Sequence, residues 1–477
     1  MSDVDKLSVT VPQHIQDRIN ARETAGGYSN RFGKQLSEDS REANYLAISG
    51  GGLSDHLATY NARFFVMPVG GSPLVFDEDA KEIVSQAMTF AHFKQLYQNQ
   101  KIGSDCLPVE WLKSPARRTL TGEIVHAPRK LYGVVGDDFN TYKGPHLTPE
   151  EGDCSGILDH IRDCLCSGDG DQFNYYIGWL AHLFQRPYER PGVAIIQQSI
   201  EGTGKSITTG VIRNIWGQQH SIILDKQVQL TGDFNAHLSG KMFVCIEETS
   251  TARNIAATEQ LKNLVTAEIL TINPKGKPIY QIDHFGRVIM NTNHNWAITA
   301  GSDSRRWFIP DISNHQVGNR AYFRELASYV ADLNVQKAFL HYLLNVDLST
   351  FDPAVIPDTQ ALKEQRSQTL SRLDIPLDWL KTMLSNGFID GIYDGGTEWQ
   401  ATQFEIPRKK LRDSYVDYSA RSRSAPNFDA AIKSIKKVIS LFDGPQRRVG
   451  DVRQRTYLLP GLGTATSEFE ASTRIRI

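Results

Sequence analysis

The sequence predicts an α/β fold, because three short apolar runs near the middle of the chain end in polar residues and stand among segments with helical periodicity. The runs are GVAIIQ at 192–197, MFVCI at 242–246 and RVIM at 287–290. Apolar runs of this length that are rich in β-branched residues are typical of buried strands. We therefore predict that residues 191–315 form the core of the fold.

Composition places the chain among ordinary globular proteins. Of its 477 residues, 40% are hydrophobic and 22% are charged, and the net charge of −2 argues against a uniformly basic nucleic-acid coat. No apolar run reaches the roughly 18 residues that a membrane span needs, and the first residues lack a signal-peptide pattern. The sequence thus predicts a cytoplasmic protein without a membrane partner, in the host cytoplasm if the source is a virus.

Periodicity and composition divide the chain into six predicted parts. The polar start of the chain indicates a flexible arm, and the helical periodicity of QFNYYIGWLAHLFQ, which Pro187 ends, indicates a helical collar-like segment before the core. The predicted parts are a flexible arm at 1–57, a small α+β domain at 58–150, the helical collar-like segment at 151–190, the core at 191–315, a helical segment and linker at 316–370, and a basic helical, winged-helix-like module at 371–477.

Three segments carry more specific expectations. Residues 80–97 have helical periodicity, as do residues 428–442, where apolar side chains recur at intervals of three and four. The segment QRRVGDVRQRTYLLP predicts a β-hairpin that turns near Gly450 and Asp451. From residue 401 to the end, 15 lysines and arginines face 8 acidic residues, which fits either DNA contact or an ordinary solvated surface.

Cysteines give little support for a cofactor or a disulfide framework. The chain has five, an odd and sparse set. Cys154, His160, Cys164 and Cys166 invite a zinc interpretation, but the surrounding GILDHIRDCL has the periodicity of one amphipathic helix. No second CxxC pair completes a tetrahedral site, so the helix is the favoured interpretation.

A glycine-rich loop follows the first predicted strand. It reads Ser199-Ile-Glu-Gly-Thr-Gly-Lys-Ser206 and leads into a helix-compatible stretch, which is the context of a phosphate-binding P-loop. Ser199 stands where the usual pattern has glycine. The motif predicts a P-loop NTPase that uses ATP and Mg²⁺, with Lys205 neutralising the β- and γ-phosphates and Ser206 binding the metal. The predicted ATP-binding residues are Gly202, Thr203, Gly204, Lys205, Ser206 and Ile207.

Carboxylates end the second predicted strand, where Glu247 and Glu248 follow Ile246. A P-loop ATPase needs one carboxylate near Mg²⁺ and another that orients or deprotonates the attacking water. Glu247 suits the metal role and Glu248 the base role. Acidic residues at strand ends are common, so the prediction depends on the preceding glycine loop.

The third predicted strand ends in Asn291-Thr-Asn293, and Arg305 and Arg306 follow twelve residues later. An asparagine here can hydrogen-bond the γ-phosphate or the attacking water. An arginine from this segment can reach the ATP of a neighbouring subunit. The plainer alternatives are a strand that enters a loop and arginines that make ordinary surface contacts.

The order EGTGKS, FVCIEE, IMNTN and SRRWF resembles superfamily-3 helicases, and residues 58–345 are similar to the helicase part of phage and plasmid primase-helicases. The resemblance implies an AAA+-like core and a ring, usually a hexamer, with ATP bound between subunits. It assigns Lys205 and Ser206 to the phosphate loop, Glu247 and Glu248 to the acidic motif, and Asn293 to the sensor. Either Arg305 or Arg306 matches the trans-acting arginine.

The same resemblance implies a hairpin that grips single-stranded DNA in the ring channel. Residues 270–280 fit that place, and Lys275 and Lys277 at the tip can contact phosphates. Taken alone, this segment is a surface turn with solvated lysines. No primase domain is apparent in the first 55 or so residues, so we expect replication-fork DNA as substrate and a separate primase or polymerase as partner.

The sequence is also compatible with two other functions. One is an ATP-dependent replication initiator that binds an origin through the C-terminal module and unwinds little. The other is a P-loop remodelling ATPase that does not act on DNA, since P-loops serve many tasks.

Overall fold

The computed structural model of the chain describes residues 53–80, 87–130, 133–247, 254–301, 304–390, 396–421, 425–449 and 452–477. Most of the predicted N-terminal arm, Glu248 and the predicted turn at Gly450 and Asp451 lie outside the described residues. Within the described ranges, no helix has the length and apolar character needed to span a lipid bilayer.

Short strands alternate with short helices in the N-terminal part. Its elements are α1 (Leu53–Arg63), β1 (Phe64–Val69), β2 (Ser72–Asp77), α2 (Phe90–Leu96), β3 (Lys101–Ile102), β4 (Asp105–Cys106), α3 (Leu107–Lys113), β5 (Ile124–Val125), β6 (Gly133–Val135) and β7 (Asp138–Asn140). β1 and β2 form an antiparallel hairpin. Helix α1 begins at Leu53, so the predicted boundary at residue 57 falls inside a helix.

In the described part of the segment predicted as a helix at 80–97, only Phe90–Leu96 is helical. Residues 81–86 lie outside the described residues, and Met88 pairs with Val75 through two backbone hydrogen bonds of 2.8 Å, which hold it extended. The side chain of Thr89 accepts a hydrogen bond from His92 N, and helix α2 begins at Phe90. Pairing with the neighbouring strand thus overrides the helical periodicity of this segment.

A helical segment leads into the central sheet. Helix α4 (Ser155–Asp159) continues into a π-helical turn at His160–Leu165, and helix α5 runs over Gly170–Gln185. Both helices follow the predicted periodicity. The π-helical turn places one extra residue in the helix, which shifts the side chains that follow it around the helix axis.

The central sheet has five parallel strands in the order β14-β8-β13-β10-β9. The three predicted strands are its three middle strands. The elements of this part are β8 (Ala194–Gln198), α6 (Lys205–His220), β9 (Ser221–Leu224), α7 (Gln227–Thr231), a 3₁₀ turn (Ala236–Leu238), β10 (Phe243–Glu247), α8 (Ile255–Thr266), β11 (Ile269–Ile272), β12 (Tyr280–Asp283), β13 (Arg287–Thr292) and β14 (Trp307–Phe308).

Helices dominate the rest of the chain, which ends in a small antiparallel sheet of order β17-β19-β18. Helix α11 spans the boundary predicted at residue 370. The elements are α9 (Arg320–Ala331), α10 (Leu333–Asn345), α11 (Gln360–Leu373), α12 (Ile375–Asn386), β15 (Phe388–Ile389), β16 (Thr397–Glu398), β17 (Phe404–Pro407), α13 (Arg408–Arg421), α14 (Phe428–Ile435), β18 (Phe442–Val449), β19 (Val452–Leu459) and α15 (Leu462–Thr473).

The helix predicted through residue 442 ends at Ile435. Ile439 is still buried, but it follows a turn, and Phe442 is 56% exposed as the first residue of β18. The helical spacing of apolar residues therefore continues past Ile435, although the helix ends there. The predicted hairpin is confirmed by β18 and β19, which pair up to Val449 and Val452.

Both faces of the central sheet are buried. Ile195 and Ile289 belong to one apolar cluster with residues of α5, α6 and α10. Ile196 and Met290 belong to a second cluster on the opposite face, with residues of α8 and α11. A parallel sheet covered in this way leaves its strand ends as the place where polar side chains can gather.

Candidate functional site

A cavity of about 240 Å³ lies where the adjacent strands β8, β13 and β10 end. Parallel strands end at the same edge of a sheet, so residues that are far apart in sequence meet here. Every predicted ATP-binding residue lines this cavity, together with Glu247 and Asn293. The lining residues are Glu201, Gly202, Thr203, Gly204, Lys205, Ser206, Ile207, Glu247, Asn291, Thr292 and Asn293.

The glycine-rich loop connects β8 to α6 and depends on two glycines. Gly202 and Gly204 have φ angles of 82° and 87°, a conformation that favours glycine. A Cβ atom on Gly204 would also lie 2.5 Å from His160 Cε1. The loop therefore packs closely on His160 and continues directly into the first turn of α6, where unpaired N–H groups and the helix dipole favour an anion.

Lys205 is held inside the loop. Its Nζ donates to Ser199 O at 3.1 Å, Ile200 O at 3.0 Å and Asn293 Oδ1 at 2.9 Å. Burial lowers the pKa of Lys205, and Glu247 and Glu201 partly oppose that shift. The ammonium group thus stands in the cavity with neutral oxygen partners that an anion can replace.

Ser199 explains how the loop tolerates the missing first glycine. Its hydroxyl oxygen lies 2.7 Å from Lys205 Nζ, which donates to it, and 2.6 Å from Thr203 Oγ1. The side chain at this position therefore adds hydrogen bonds within the loop. The departure from the usual pattern leaves the strand, loop and helix in the predicted order.

Glu247 is oriented by two neighbouring elements. Its Oε2 lies 3.4 Å from Ser206 Oγ on α6, and its Oε1 accepts a hydrogen bond of 2.9 Å from Asn291 Nδ2 on β13. Glu247 and Asn291 are partners in the register of β10 and β13. Glu248, predicted as the base, lies outside the described residues.

Asn291 is a site residue that the sequence placed at the end of the third strand, but the sensor role was given to Asn293 alone. Asn291 is 2% exposed, and among the described residues its Oδ1 has no hydrogen-bond partner. A polar side chain inside an otherwise apolar strand is the signal that could have singled it out. Its contact with Glu247 depends on the order of strands, which the sequence alone does not reveal.

His160 supports the loop from the π-helical turn. Its Nε2 lies 3.2 Å from Gly204 O and its Nδ1 lies 3.0 Å from the hydroxyl of Tyr322. Burial lowers the pKa of His160, which favours the neutral ring. Because a carbonyl oxygen can only accept, Nε2 carries the proton and Nδ1 accepts from Tyr322. The sequence had linked this histidine only to the disfavoured zinc interpretation.

Arg305 and Arg306 do not line this cavity. They precede β14, and Ala194 N at the start of β8 donates to Arg306 O at 2.9 Å. Both arginines therefore lie near the opposite end of the strands from the glycine-rich loop. Arg305 is exposed and lines a second cavity of about 450 Å³.

Lys275 and Lys277 lie between β11 and β12, which form the predicted antiparallel hairpin. Lys275 is exposed and Lys277 is partly buried, and burial lowers the pKa of Lys277. The hairpin packs closely on the turn between β1 and β2, where Gly70 leaves no room for a Cβ beside Pro278. The lysines are therefore anchored next to the N-terminal part, away from the cavity.

Comparison with known proteins relates the chain to a phage replication enzyme. Residues 198–306 match the model of a family of unknown function, DUF5906. The chain is 25% identical over 273 residues to the DNA primase-polymerase of Nitratiruptor phage NrS-1. This alignment covers 54% of the chain and 37% of that enzyme, so the chain spans well under two thirds of the relative's length.

Solved structures of the NrS-1 C-terminal region share the fold. An apo structure of that region aligns with 86% of this chain and 98% of its own, with a TM-score of 0.55 and 19% identity. The A form of the apo region gives a TM-score of 0.58 at 16% identity and covers 86% of this chain and 99% of its own. The mixed α/β architecture around a parallel sheet is thus similar to that of a region of a phage DNA primase-polymerase.

Proposed function

We propose that this chain is an ATP-dependent DNA helicase of the superfamily-3 type, which moves along single-stranded DNA during replication of a phage, plasmid or mobile element. The observation that carries the proposal is that the glycine-rich loop, with Lys205 and Ser206, lines one cavity together with Glu247 and Asn293. Similarity to a phage DNA primase-polymerase supports a role in DNA replication.

ATP fits the cavity through its phosphates. The N–H groups of the loop and of the first turn of α6 donate to phosphate oxygens, and the helix dipole favours their charge. Lys205 Nζ exchanges its bonds to Ser199 O and Ile200 O for the β- and γ-phosphates. Gly202 and Gly204, both with positive φ, keep this face of the loop free of side chains.

Oxygen atoms of Ser206 and Glu247, at the other side of the cavity, are of the type that Mg²⁺ prefers as ligands. Ser206 Oγ and Glu247 Oε2 lie 3.4 Å apart, and the buried Asn291 Oδ1 can accept a hydrogen bond from a water near them. When bound, Mg²⁺ supplies charge neutralisation on the phosphates. Asn291 holds the Glu247 carboxylate in position through its Nδ2.

Hydrolysis requires a positioned water and charge stabilisation from a second subunit. Asn293, which contacts Lys205 at 2.9 Å, stands where it can report the state of the γ-phosphate. Glu248 activates the water in this proposal, and Arg305 or Arg306 of an adjacent copy stabilises the transferring phosphoryl group. Ring assembly, usually as a hexamer, then couples hydrolysis to the Lys275 and Lys277 hairpin and to the DNA strand.

Replacement of Lys205 tests the ATPase part of the proposal. We expect Lys205→Ala to abolish ATP hydrolysis and to leave the thermal unfolding temperature nearly unchanged, because the lysine donates its hydrogen bonds to loop oxygens and Asn293 at the edge of the sheet. Phosphate release is measured beside the control Lys226→Ala, which removes an exposed lysine outside the cavity. Full hydrolysis by Lys205→Ala contradicts the proposal.

The topology of the C-terminal module favours a second candidate, a replication initiator that binds duplex DNA. The order α12, β17, α13, α14, β18 and β19, with a sheet order of β17-β19-β18, matches the topology of a winged helix. Strand displacement with and without ATP separates the candidates. A helicase displaces the strand, an initiator binds a specific duplex with little displacement, and a remodelling ATPase does neither.

A further inference from the structure

The second cavity, of about 450 Å³, lies where three distant parts of the chain meet. The segment before β14 contributes Arg305, helix α11 contributes Lys363 and Arg366, and the end of α15 and the residues after it contribute Arg474 and Arg476. Its lining thus contains five basic side chains. The proposed ATP site shares none of them.

Acidic groups only partly balance this charge. Asp358 pairs with Arg366 at 3.0 Å and with Lys363 at 3.2 Å, so one carboxylate serves two cations. The other acidic lining residue, Glu470, accepts a hydrogen bond from Ile477 N at 2.8 Å.

Three cations of the cavity form no ion pair with any residue that the structure describes. In the part of the chain that the structure describes, no carboxylate lies within 4.0 Å of Arg305, Arg474 or Arg476. Like charges that converge on one cavity repel each other, and an anion between them relieves that repulsion.

Arg366, another residue of the cavity lining, has a buried side chain with a hydrogen-bond donor that no described residue satisfies. Its side chain is 4% exposed, and its Nε is buried with no hydrogen-bond partner among the described residues. Burial lowers the pKa of Arg366, and the nearby charge of Arg474 lowers it further, against the opposing effect of Asp358. A buried guanidinium donor without an acceptor costs free energy, so a bound oxyanion would stabilise it.

We propose that this cavity is a binding site for a phosphate group, held by Arg366, Arg474 and Arg476. Guanidinium groups present paired N–H donors that match the oxygens of a phosphate. The volume also leaves room for the rest of a nucleotide or for the next link of a DNA strand. Both sources offer the same chemistry. The site does not require that the first cavity hydrolyse ATP.

Binding to two probes tests the proposal. The full chain with Lys205→Ala, which disables the proposed ATP site, is titrated with inorganic pyrophosphate and, separately, with a twelve-nucleotide poly-dT strand. The test variant adds Arg474→Gln and Arg476→Gln, two exposed side chains whose loss should not disturb folding. The matched control adds Arg324→Gln, an exposed arginine that lines neither cavity.

We expect the double variant to bind at least one probe about tenfold or more weakly than the control, because charge-assisted hydrogen bonds are lost. Weaker pyrophosphate binding alone indicates a free phosphate or nucleotide ligand. Weaker oligonucleotide binding alone indicates backbone contact, and the slope of log K against log salt then falls by about 0.7 for each lost contact.

Equal binding of both probes by the double variant and the control overturns the proposal. A third variant, Arg366→Gln, checks the buried donor, and circular dichroism checks that it folds. If it folds and binds both probes as the control does, Arg366 is not part of such a site. Failure of the ATPase proposal would appear differently, as normal hydrolysis by Lys205→Ala alone.

Discussion

Asn291 fixes the position of the carboxylate on which the metal role in the proposed site depends. It donates to Glu247 Oε1 at 2.9 Å and to Thr209 Oγ1 at 3.2 Å. These bonds join β13 to β10 and to α6 within the buried sheet. Without Asn291, Glu247 keeps its contacts to Ser206 and Cys245 but loses the partner that faces it across the strands.

We therefore expect Asn291→Ala to lower kcat for ATP hydrolysis by about 10- to 100-fold, the usual effect of removing a side chain that orients a metal ligand. The KM for ATP should change little, because the phosphate loop is untouched. Steady-state kinetics over a range of Mg²⁺ concentrations measure both constants. The control is Asn334→Ala on the exposed side of α10, and an unchanged kcat for Asn291→Ala would refute the positioning role.

Residues in the glycine-rich loop could be predicted from the sequence. The side chains that pack against the loop and hold it in place could not. Gly202, Gly204 and Lys205 belong to a local motif whose backbone geometry is fixed by a few adjacent residues. His160 lies 44 positions from Gly204 and reaches it only because α4 and the π-helical turn pack beside the loop. Such contacts depend on tertiary packing, which a local pattern does not encode.

At the scale of elements, the β11–β12 hairpin is tied both to the N-terminal part and to the end of the 3₁₀ turn at Ala236–Leu238. Tyr280 OH lies 3.0 Å from Ser239 Oγ, and Pro278 packs on the turn at Gly70. The exposed Lys275 is thus presented on an anchored support. A movement of this hairpin on DNA would have to move the β1–β2 turn with it.

We expect Lys275→Ala with Lys277→Ala to keep basal ATP hydrolysis and to lose its stimulation by single-stranded DNA, because the lysines lie outside the cavity but are proposed to bind phosphates. Hydrolysis is measured with and without poly-dT. The control pairs Lys94→Ala with Lys101→Ala, two exposed lysines of the N-terminal part. Persistent stimulation in the hairpin variant would show that the DNA path lies elsewhere.

Elements buried on both faces were the easiest to predict. The strands β8, β10 and β13 are short, continuous apolar runs, which are typical of parallel strands buried on both faces. Prediction of an element's end failed where apolar residues kept their helical spacing beyond the last residue of the helix. After Ile435 the chain turns, yet Ile439 still reaches the core, so periodicity alone placed the end of α14 too late.

At the scale of the whole molecule, the proposed arginine must act on another copy of the chain. Arg305 and Arg306 lie near the amino end of β8, whereas the glycine-rich loop follows its carboxyl end. A strand of five residues separates them within one subunit. The proposed mechanism therefore predicts sites that are complete only between subunits.

Mixing inactive variants tests this arrangement. We expect either Arg305→Ala or Arg306→Ala to lose hydrolysis and to regain part of it when mixed with Lys205→Ala. In random assemblies at equal ratio, about a quarter of the interfaces combine an intact loop with an intact arginine. Phosphate release is compared before and after mixing. No recovery for either arginine variant would contradict a shared site.

A structure of the chain bound to Mg²⁺ and a non-hydrolysable ATP analogue would show whether the glycine-rich loop holds a nucleotide. We expect the phosphates to lie against the backbone N–H groups of residues 202–206, with Lys205 on the β- and γ-phosphates and the metal beside Ser206 and Glu247. A nucleotide bound only in the second cavity, or none at the glycine-rich loop at saturating concentration, would refute the proposed ATP site.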